Sequence, residues 1–157
     1  MSKLLNEINN YMILVRRKAH FNAAHRLHNP QKSDEWNKDT YGKCNHEHWH
    51  GHNYIIEVTV AGEPADDTGY IIDLSVLKKI INTQVIEPCD HKNLNLDVDF
   101  LDGMIPSTEN LVKAFFLQLK KPIAESGSPG SFLYAVKLQE TERNSAVYCP
   151  QLFTDMP

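Results

Sequence analysis

The stretch HGHNYIIEVTVA, residues 50–61, decides the fold because apolar and polar side chains alternate along it. Its apolar positions are Tyr54, Ile56, Val58 and Val60. The polar positions between them include Asn53, Glu57 and Thr59. Successive side chains of a β-strand point to opposite faces, so this pattern predicts a strand with one apolar face that must pack against other elements. His50 and His52 extend that apolar face to the start of the strand.

A second stretch of this kind precedes it and predicts a strand over residues 12–25. Its odd positions are mostly apolar: Ile13, Val15, Ala19, Phe21 and Ala23. Arg17 interrupts the pattern. His25 continues the apolar face of this strand, whereas His20 lies on its polar side. The polar segment that joins the two strands predicts a loop.

Two helices are predicted to follow the second strand. Asp73 is a candidate N-cap for the first, whose apolar residues recur at helical spacing until Pro88 is expected to end the helix. Ser107 or Thr108 is a candidate N-cap for the second, and Pro122 is expected to lie beyond its end.

Residues 132–141 and 145–149 predict two further strands. The resulting order, ββααββ, indicates an α+β fold with an antiparallel sheet that carries two helices on one face. The inward positions of the third strand are expected to be Phe132, Tyr134, Val136 and Leu138. Glu140 is the next residue in phase. A buried carboxylate is costly without hydrogen-bond donors, so Glu140 either lies in water beyond the strand or meets a ligand such as the N–C–N edge of a heterocycle.

The composition is that of one domain with its own core, since 41% of the 157 residues are hydrophobic and 23% are charged. We expect residues 12–157 to form this domain and residues 1–11 to be a polar extension. The net charge of -4 and the lack of a dense basic cluster argue against a nucleic-acid partner. Neither a signal peptide nor a membrane-length apolar run is evident, which favours a cytoplasmic protein without a membrane partner.

Seven of the eight histidines lie between His20 and His52, and this concentration suggests a metal site. If the strands pair, His25, His50 and His52 end their apolar faces together and form an open three-ligand zinc site, with a position left for water or substrate. Iron or another first-row metal would also accept imidazoles. Any one histidine alone is more often a hydrogen-bonded core or surface residue. The remaining histidines near the loop, His28, His46 and His48, are expected at the surface.

Three further residues are candidates for proton transfer. A metal and a histidine near Cys44 would favour its thiolate, which is the form that a thiol base needs. The alternative is that Cys44 is an ordinary small apolar residue. Asp90 and His91 form an Asp-His pair of the kind that orients a proton carrier, but such a dipeptide often occurs by chance. Cys89 and Cys149 have no such surroundings, and the three cysteines lack the spacing of a disulfide framework or thiolate zinc site.

Taken in order, several motifs resemble one family. They are FNAAHRL, YGKC followed at fixed spacing by HGHNY, GYIID, CDHKNLNLD, PSTENL and KLQETERN. They are similar to motifs of the 6-pyruvoyl-tetrahydropterin and 6-carboxy-tetrahydropterin synthases of the tunnelling fold, and the match runs from about residue 16 to residue 149. The resemblance implies a ββααββ subunit whose sheets join in an oligomeric β-barrel. It also implies a homo-oligomer, usually a hexamer of two trimers, with active sites at subunit interfaces.

The resemblance also assigns roles to residues. It places zinc on His25, His50 and His52, makes Cys44 the base, and makes Asp90 and His91 the accompanying pair. Glu140 would anchor the pterin ring, while Thr108 and Glu109 would border its pocket. The implied substrate is 7,8-dihydroneopterin triphosphate, which loses triphosphate, and the implied class is a lyase. Arg26 and Lys92 are candidates for triphosphate contacts or, more simply, solvated surface residues.

The product divides the family, and three activities remain open. FNAAH and the aspartate of GYIID favour 6-carboxytetrahydropterin, formed with loss of acetaldehyde in queuosine synthesis, and this is the product we expect. The longer spacing between Cys44 and HGH is instead typical of enzymes that form 6-pyruvoyltetrahydropterin. Glu47 lies three residues before His50, and some relatives with a glutamate at that spacing cleave the side chain to 6-hydroxymethyl-dihydropterin for folate synthesis. The simpler interpretation of Glu47, which we favour, is a loop carboxylate without a role in the site. A zinc-stabilised pterin-binding protein would be the non-enzymatic alternative, with no need for Cys44 or the Asp-His pair.

Overall fold

The computed structural model describes residues 12–150, which form one sheet with helices packed on one of its faces. The predicted N-terminal extension, residues 1–11, lies outside the described residues, as do residues 151–157. The predicted order of four strands and two principal helices is confirmed, with one further helix, one further strand and two 3-10 turns that the sequence did not indicate.

The sheet has five strands in the order β3-β1-β2-β4-β5. In chain order they are β1 (Ile13–His25), β2 (His50–Gly62), β3 (Lys92–Asn93), β4 (Phe132–Gln139) and β5 (Ser145–Tyr148). The β1 and β2 strands pair antiparallel along their whole length, whereas the two residues of β3 pair parallel to the end of β1. The expectation of a purely antiparallel sheet is therefore wrong at this one edge. Among residues 12–150 of one chain the sheet is open and does not close into a barrel.

The helical segments lie in the connections between successive strands of the described chain. They are α1 (Asp34–Tyr41), a 3-10 turn (Gly42–Asn45), α2 (Leu74–Ile81), a π-helical turn (Asn82–Ile86), α3 (Glu87–Cys89), a second 3-10 turn (Asp99–Leu101) and α4 (Thr108–Ser126). Asp73 and Ser107 are the N-caps of α2 and α4, as the sequence predicts. Among residues 12–150, no helix has both the length and the apolar character that crossing a membrane requires.

The core lies between the sheet and the helices α2 and α4. The Phe21 ring stacks on the Tyr54 ring at 5.0 Å between centroids and meets the Phe115 ring of α4 edge-on at 5.9 Å. Phe21 and Tyr54 are direct partners across β1 and β2, so the predicted apolar faces of the two strands are joined. This cross-strand pair carries the apolar core up to the level of the histidines.

Both proline-based predictions of helix ends are wrong. The chain stays helical through Pro88 because this residue lies in the first turn of α3, where an amide hydrogen is not needed. Pro122 lies inside α4, which continues to Ser126. Ile123, directly after Pro122, is fully buried, and its burial offsets the backbone hydrogen bond that the proline cannot make.

The segment predicted as a loop contains α1. Ser33 caps this helix by accepting a hydrogen bond from the amide of Trp36. The helix is held by a buried polar residue, Asn37, whose side chain accepts from the amide of Asn29 at 2.7 Å and donates to its carbonyl at 2.9 Å. Because polar bonds rather than an apolar stripe hold α1, hydrophobic periodicity could not reveal it.

A β-bulge changes the facing of β4. Between Thr59 and Val60 the pairing register shifts, and Tyr134 is the extra residue on β4. Leu133 therefore faces inward before the bulge, and Val136 and Leu138 face inward after it. The predicted inward facing of Phe132 and Tyr134 is wrong for this reason. Glu140 retains its predicted phase, because it is counted from the residues after the bulge.

The burial pattern of α4 predicts unequal effects of the same substitution. Leu119 is fully buried, whereas Leu117 on the same helix is 59% exposed. We expect Leu119→Ala to lower the free energy of unfolding by about 2–5 kcal/mol through lost burial and a residual cavity. The matched change Leu117→Ala should alter it by less than about 0.5 kcal/mol. Urea denaturation at one protein concentration measures both, and equal effects would contradict the described packing.

Candidate metal site and adjoining cavity

Three histidines converge at one end of the β1–β2 pair. His25 ends β1 directly opposite His50 at the start of β2, and His52 faces the same side two residues later. Their ring centroids lie 4.5 Å (His25–His50), 5.1 Å (His25–His52) and 4.9 Å (His50–His52) apart. One nitrogen from each ring falls within 4.8 Å of the other two. The facing predicted from strand periodicity therefore brings these three residues together.

The donor atoms of this cluster fit a metal ion. His25 Nε2, His50 Nδ1 and His52 Nε2 are buried and have no hydrogen-bond partner. His25 Nδ1 lies 2.8 Å from the carbonyl oxygen of Pro106, which can only accept, so Nδ1 carries the proton and Nε2 presents its lone pair. Three unpartnered imidazole nitrogens are a donor set suited to zinc and to other first-row divalent ions.

Burial favours the neutral form of two of the three rings, His25 and His50. Loss of solvation lowers the pKa of His25, which is 1% exposed, and lowers the pKa of His50 as well. Glu140 acts in the opposite direction, since its carboxylate attracts a proton to these rings. Glu140 Oε1 lies 3.6 Å from His25 Nε2 and 3.8 Å from His52 Nε2. The desolvation effect is the larger one, so the rings are in the form that binds a metal.

A cavity of about 430 Å³ adjoins the cluster and collects most of the other predicted site residues. His25, Cys44, Thr108, Glu109 and Glu140 all line it. Its remaining lining residues, which sequence reasoning did not name as site residues, are Leu27, Ser107, Arg143, Asn144, Ser145 and Ala146. Glu140 follows the last residue of β4 and is half-buried, so it lies neither in bulk water nor in a closed core.

The predicted Asp-His pair is formed but lies elsewhere in the chain. His91 Nδ1 is 2.9 Å from Asp90 Oδ2, while the amide of Asn22 donates to Asp90 Oδ1 at 2.8 Å. That backbone bond lowers the pKa of Asp90. His91 has a positive φ of 58°, and its amide donates to the carbonyl of Asn22 at 2.6 Å. Neither residue lines the cavity that contains Cys44.

His91 instead borders a shallow depression of about 450 Å³ together with Lys92 and residues from both faces of β1 and β2, among them His52. Lys92 is exposed there, whereas the Arg26 side chain is bonded to Asn45. Neither of these candidates for triphosphate contacts lines the cavity of Cys44, while Arg143 does. An arginine three residues after Glu140 is a sequence signal that could have been noticed.

Tyr54 is a second residue whose polar group was missed. Its ring lies 5.6 Å from the His52 ring and 6.0 Å from the His25 ring between centroids. Its hydroxyl is buried without a partner, and burial raises the pKa of this phenol. The sequence interpretation counted Tyr54 only as an apolar core residue. A phenol at the end of an aliphatic row, next to His52, was the available signal.

The other histidines do not join the cluster. His46 and His48 are exposed in the loop before β2, and His48 Nε2 lies 3.6 Å from Glu47 Oε1. Glu47 is likewise exposed and does not line the Cys44 cavity. His28 Nδ1 lies 3.0 Å from Asn45 Oδ1. The prediction of surface positions holds for the loop pair, whereas His28 is half-buried.

The comparisons with known proteins agree with this geometry. The family described as 6-pyruvoyl tetrahydropterin synthase matches residues 14–151. The chain is 42% identical over 128 residues to the 6-pyruvoyl tetrahydrobiopterin synthase of Poecilia reticulata, covering 82% of this chain and 84% of that protein. A solved 6-pyruvoyl tetrahydropterin synthase from Caenorhabditis elegans is 36% identical, with a TM-score of 0.78, covering 88% of this chain and 96% of that one.

A 6-carboxy-type relative is more distant. The 6-carboxy-5,6,7,8-tetrahydropterin synthase of Bacillus subtilis is 32% identical over 109 residues, covering 68% of this chain and 64% of that protein. Identity and coverage are therefore both lower than for the 6-pyruvoyl-type relative from Poecilia reticulata. The similarity favours the 6-pyruvoyl type over the 6-carboxy product that short motifs had suggested.

Metal content tests the cluster. We expect His52→Ala to reduce bound zinc from about one ion per chain to less than about a tenth, because a site with two imidazoles is incomplete. His20→Ala is the matched control, since His20 is exposed on the opposite face of β1 and should leave the metal content unchanged. Elemental analysis after dialysis measures both, and full retention of metal by the His52 variant would contradict the site.

The stability of the metal-free protein should depend on pH through His25 and His50. Their pKa values in the folded state lie below the ordinary histidine value of 6.5, so below that pH the unfolded chain binds more protons than the folded chain. This contribution to stability is present above about pH 6.5 and is lost as the pH falls toward the lowered folded-state values. Denaturation midpoints between pH 7.5 and 5 should therefore fall, and a His25→Asn variant should show a shallower fall.

Proposed function

The chain belongs to the 6-pyruvoyl tetrahydropterin synthase family and is therefore a lyase, and from this we propose that it converts 7,8-dihydroneopterin triphosphate to 6-pyruvoyltetrahydropterin with release of triphosphate. The observation that carries the proposal is the cavity that brings Cys44 and Glu140 together with His25, which belongs to a cluster of three histidines with unpartnered nitrogens. The greater similarity to the 6-pyruvoyl type supports this product over the 6-carboxy product expected from short motifs.

We propose zinc as the metal, held by His25, His50 and His52. When bound, it would supply a Lewis acid that polarises the hydroxyls of the substrate side chain and acidifies the neighbouring C–H bonds. Cys44 is the base that removes a proton there, because its half-buried side chain lines the same cavity as His25. No redox cofactor is required, because the protons that leave the side chain are returned to the ring.

The pterin ring is oriented by the acidic wall of the cavity. In the proposed complex Glu140 accepts two hydrogen bonds, from the 2-amino group and an adjacent ring N–H, which are the donors that its half-buried carboxylate lacks in the free chain. Thr108 and Glu109, from the first turn of α4, border the same space. Fixing the ring at Glu140 sets the side chain against the histidines and Cys44.

Asp90 and His91 require a second copy of the chain in this proposal. Within one chain the pair lies outside the Cys44 cavity, although its hydrogen bond is formed. The open sheet leaves β3 and β5 as edges at which copies could associate. We propose a homo-oligomer, with the hexamer of two trimers as its form, in which one subunit offers Asp90 and His91 to the cavity of its neighbour as proton carriers.

The alternatives are less well supported by the geometry. Side-chain cleavage to 6-hydroxymethyl-dihydropterin would use Glu47, which is exposed and lies near His48 rather than in the cavity. A pterin-binding protein without activity would not need a thiol at Cys44. The 6-carboxy product remains the closest chemical alternative, because it arises from the same substrate.

Incubation with 7,8-dihydroneopterin triphosphate and mass spectrometry of the products tests the proposal. We expect 6-pyruvoyltetrahydropterin and triphosphate from the zinc-loaded protein. Cys44→Ala should lower kcat by about 10²–10⁴-fold while zinc stays bound, because removal of a general base leaves the electrophile in place. Formation of the 6-carboxy or 6-hydroxymethyl product would change the assignment. Full activity in the Cys44 variant would remove the thiol from the mechanism.

A further inference from the structure

The segment that follows β1 holds the turn that carries Cys44. The amide of Leu27 donates to the carbonyl of Cys44 at 2.9 Å. Arg26 Nε donates to the carbonyl oxygen of Asn45 at 2.9 Å and to its Oδ1 at 3.1 Å. His28 Nδ1 lies 3.0 Å from the same Oδ1. Three consecutive residues therefore bond the 3-10 turn Gly42–Asn45.

Arg26 is itself fixed from the other side. Its amide donates to Asn95 Oδ1 and its carbonyl accepts from Asn95 Nδ2, both at 3.0 Å. These bonds are part-buried, so water competes with them less than at an open surface. Arg26 directly follows His25, whose ring is held by the carbonyl of Pro106. The histidine and the arginine are thus anchored independently, at adjacent positions of one extended backbone.

We propose that Arg26 is a positioning residue, which by its paired bond to Asn45 sets the distance between the Cys44 thiol and the histidine cluster. Cys44 is joined to β2 by a loop of exposed residues, among them His46 and Glu47, which gives it no comparable support from that direction. The arginine side chain supplies that support from the β1 side, together with the Leu27 amide and His28. This inference deepens the proposed function, since a base must lie within reach of the proton that it removes.

The chemistry of the side chain favours this role over contact with a phosphate. Arg26 does not line the cavity that contains Cys44, and its Nε is already shared between two oxygens of Asn45. The Arg26 Nε–H has a direction fixed by the planar guanidinium and is shared by two oxygens of Asn45, whereas a lysine ammonium is a flexible point charge with no N–H at that position. Arg26→Lys therefore keeps the positive charge and loses the geometry.

Steady-state kinetics of the zinc-loaded protein separate the two roles. For Arg26→Lys we expect kcat to fall about tenfold with KM changed less than about twofold, as for an interaction that acts only on the chemical step. Arg16→Lys is the matched control, because Arg16 is exposed on the outward face of β1 and should leave both constants unchanged. A KM raised about tenfold at constant kcat would show a substrate contact and overturn the proposal.

Alkylation of Cys44 gives a readout that does not require turnover. Cys89 and Cys149 are buried, so iodoacetamide should modify Cys44 first, as peptide mapping would verify. We expect about threefold faster modification in Arg26→Lys at unchanged metal content and thermal midpoint, because the turn opens more often without its support. An unchanged rate together with an unchanged kcat would overturn the proposal.

A double-mutant cycle identifies the partner. Asn45→Ala removes one of the two acceptors, so its loss of kcat should be smaller than that of Arg26→Lys, and the double variant should be no worse than Arg26→Lys alone. Fully additive losses would show that Arg26 acts through something other than Asn45 and would overturn the proposal. If the wild-type protein lacks turnover, the proposed function fails, and the alkylation rates of the same variants decide the role of Arg26 alone.

Discussion

The antiparallel pairing of β1 with β2 in a single register is the constraint on which the rest of the structure depends. It sets His25 opposite His50 and Phe21 opposite Tyr54, so the metal donors and the core below them belong to one continuous face. A shift of one residue in this pairing would turn the shifted strand's inward set outward and separate the histidines. The long apolar rows of both strands disfavour such a shift, because it would expose the core.

The site carries a cost that the core offsets. Each buried polar atom without a partner destabilises the fold by about 1–3 kcal/mol, and three ring nitrogens and the Tyr54 hydroxyl are in this state. A metal would give the nitrogens their partners, so loading would also stabilise the fold. The same burial that makes these unpartnered nitrogens costly favours the neutral form of His25 and His50, and neutral rings are the ones that bind a metal. In the metal-free chain the donor nitrogens needed for function therefore lower the stability. Metal binding would remove that cost.

Whether a feature could be predicted from the sequence depends on the kind of interaction that fixes it. Strand periodicity is local, so the facing of His25, His50 and His52 could be predicted before any contact was known. The α1 helix could not, because Asn37 holds it through polar bonds to the backbone of Asn29, which leave no apolar periodicity. The resemblance to a family supplied the role of Thr108 and Glu109 as pocket residues, which no sequence pattern indicates. The positions of Asp90 and His91 relative to Cys44 depend on how separate segments pack, and periodicity carries no information about that.

The bulge at Tyr134 limits the kinds of mutation that β4 can accept. It adds one residue between the part of β4 that packs under the helices and the part that leads to Glu140. The alternation on its two sides is therefore out of step, and each half obeys its own hydrophobic pattern. Loss of that single residue by deletion would force one half to rotate. Either the core would be turned to solvent or the glutamate would leave the cavity, so β4 should tolerate substitutions far more readily than changes in length.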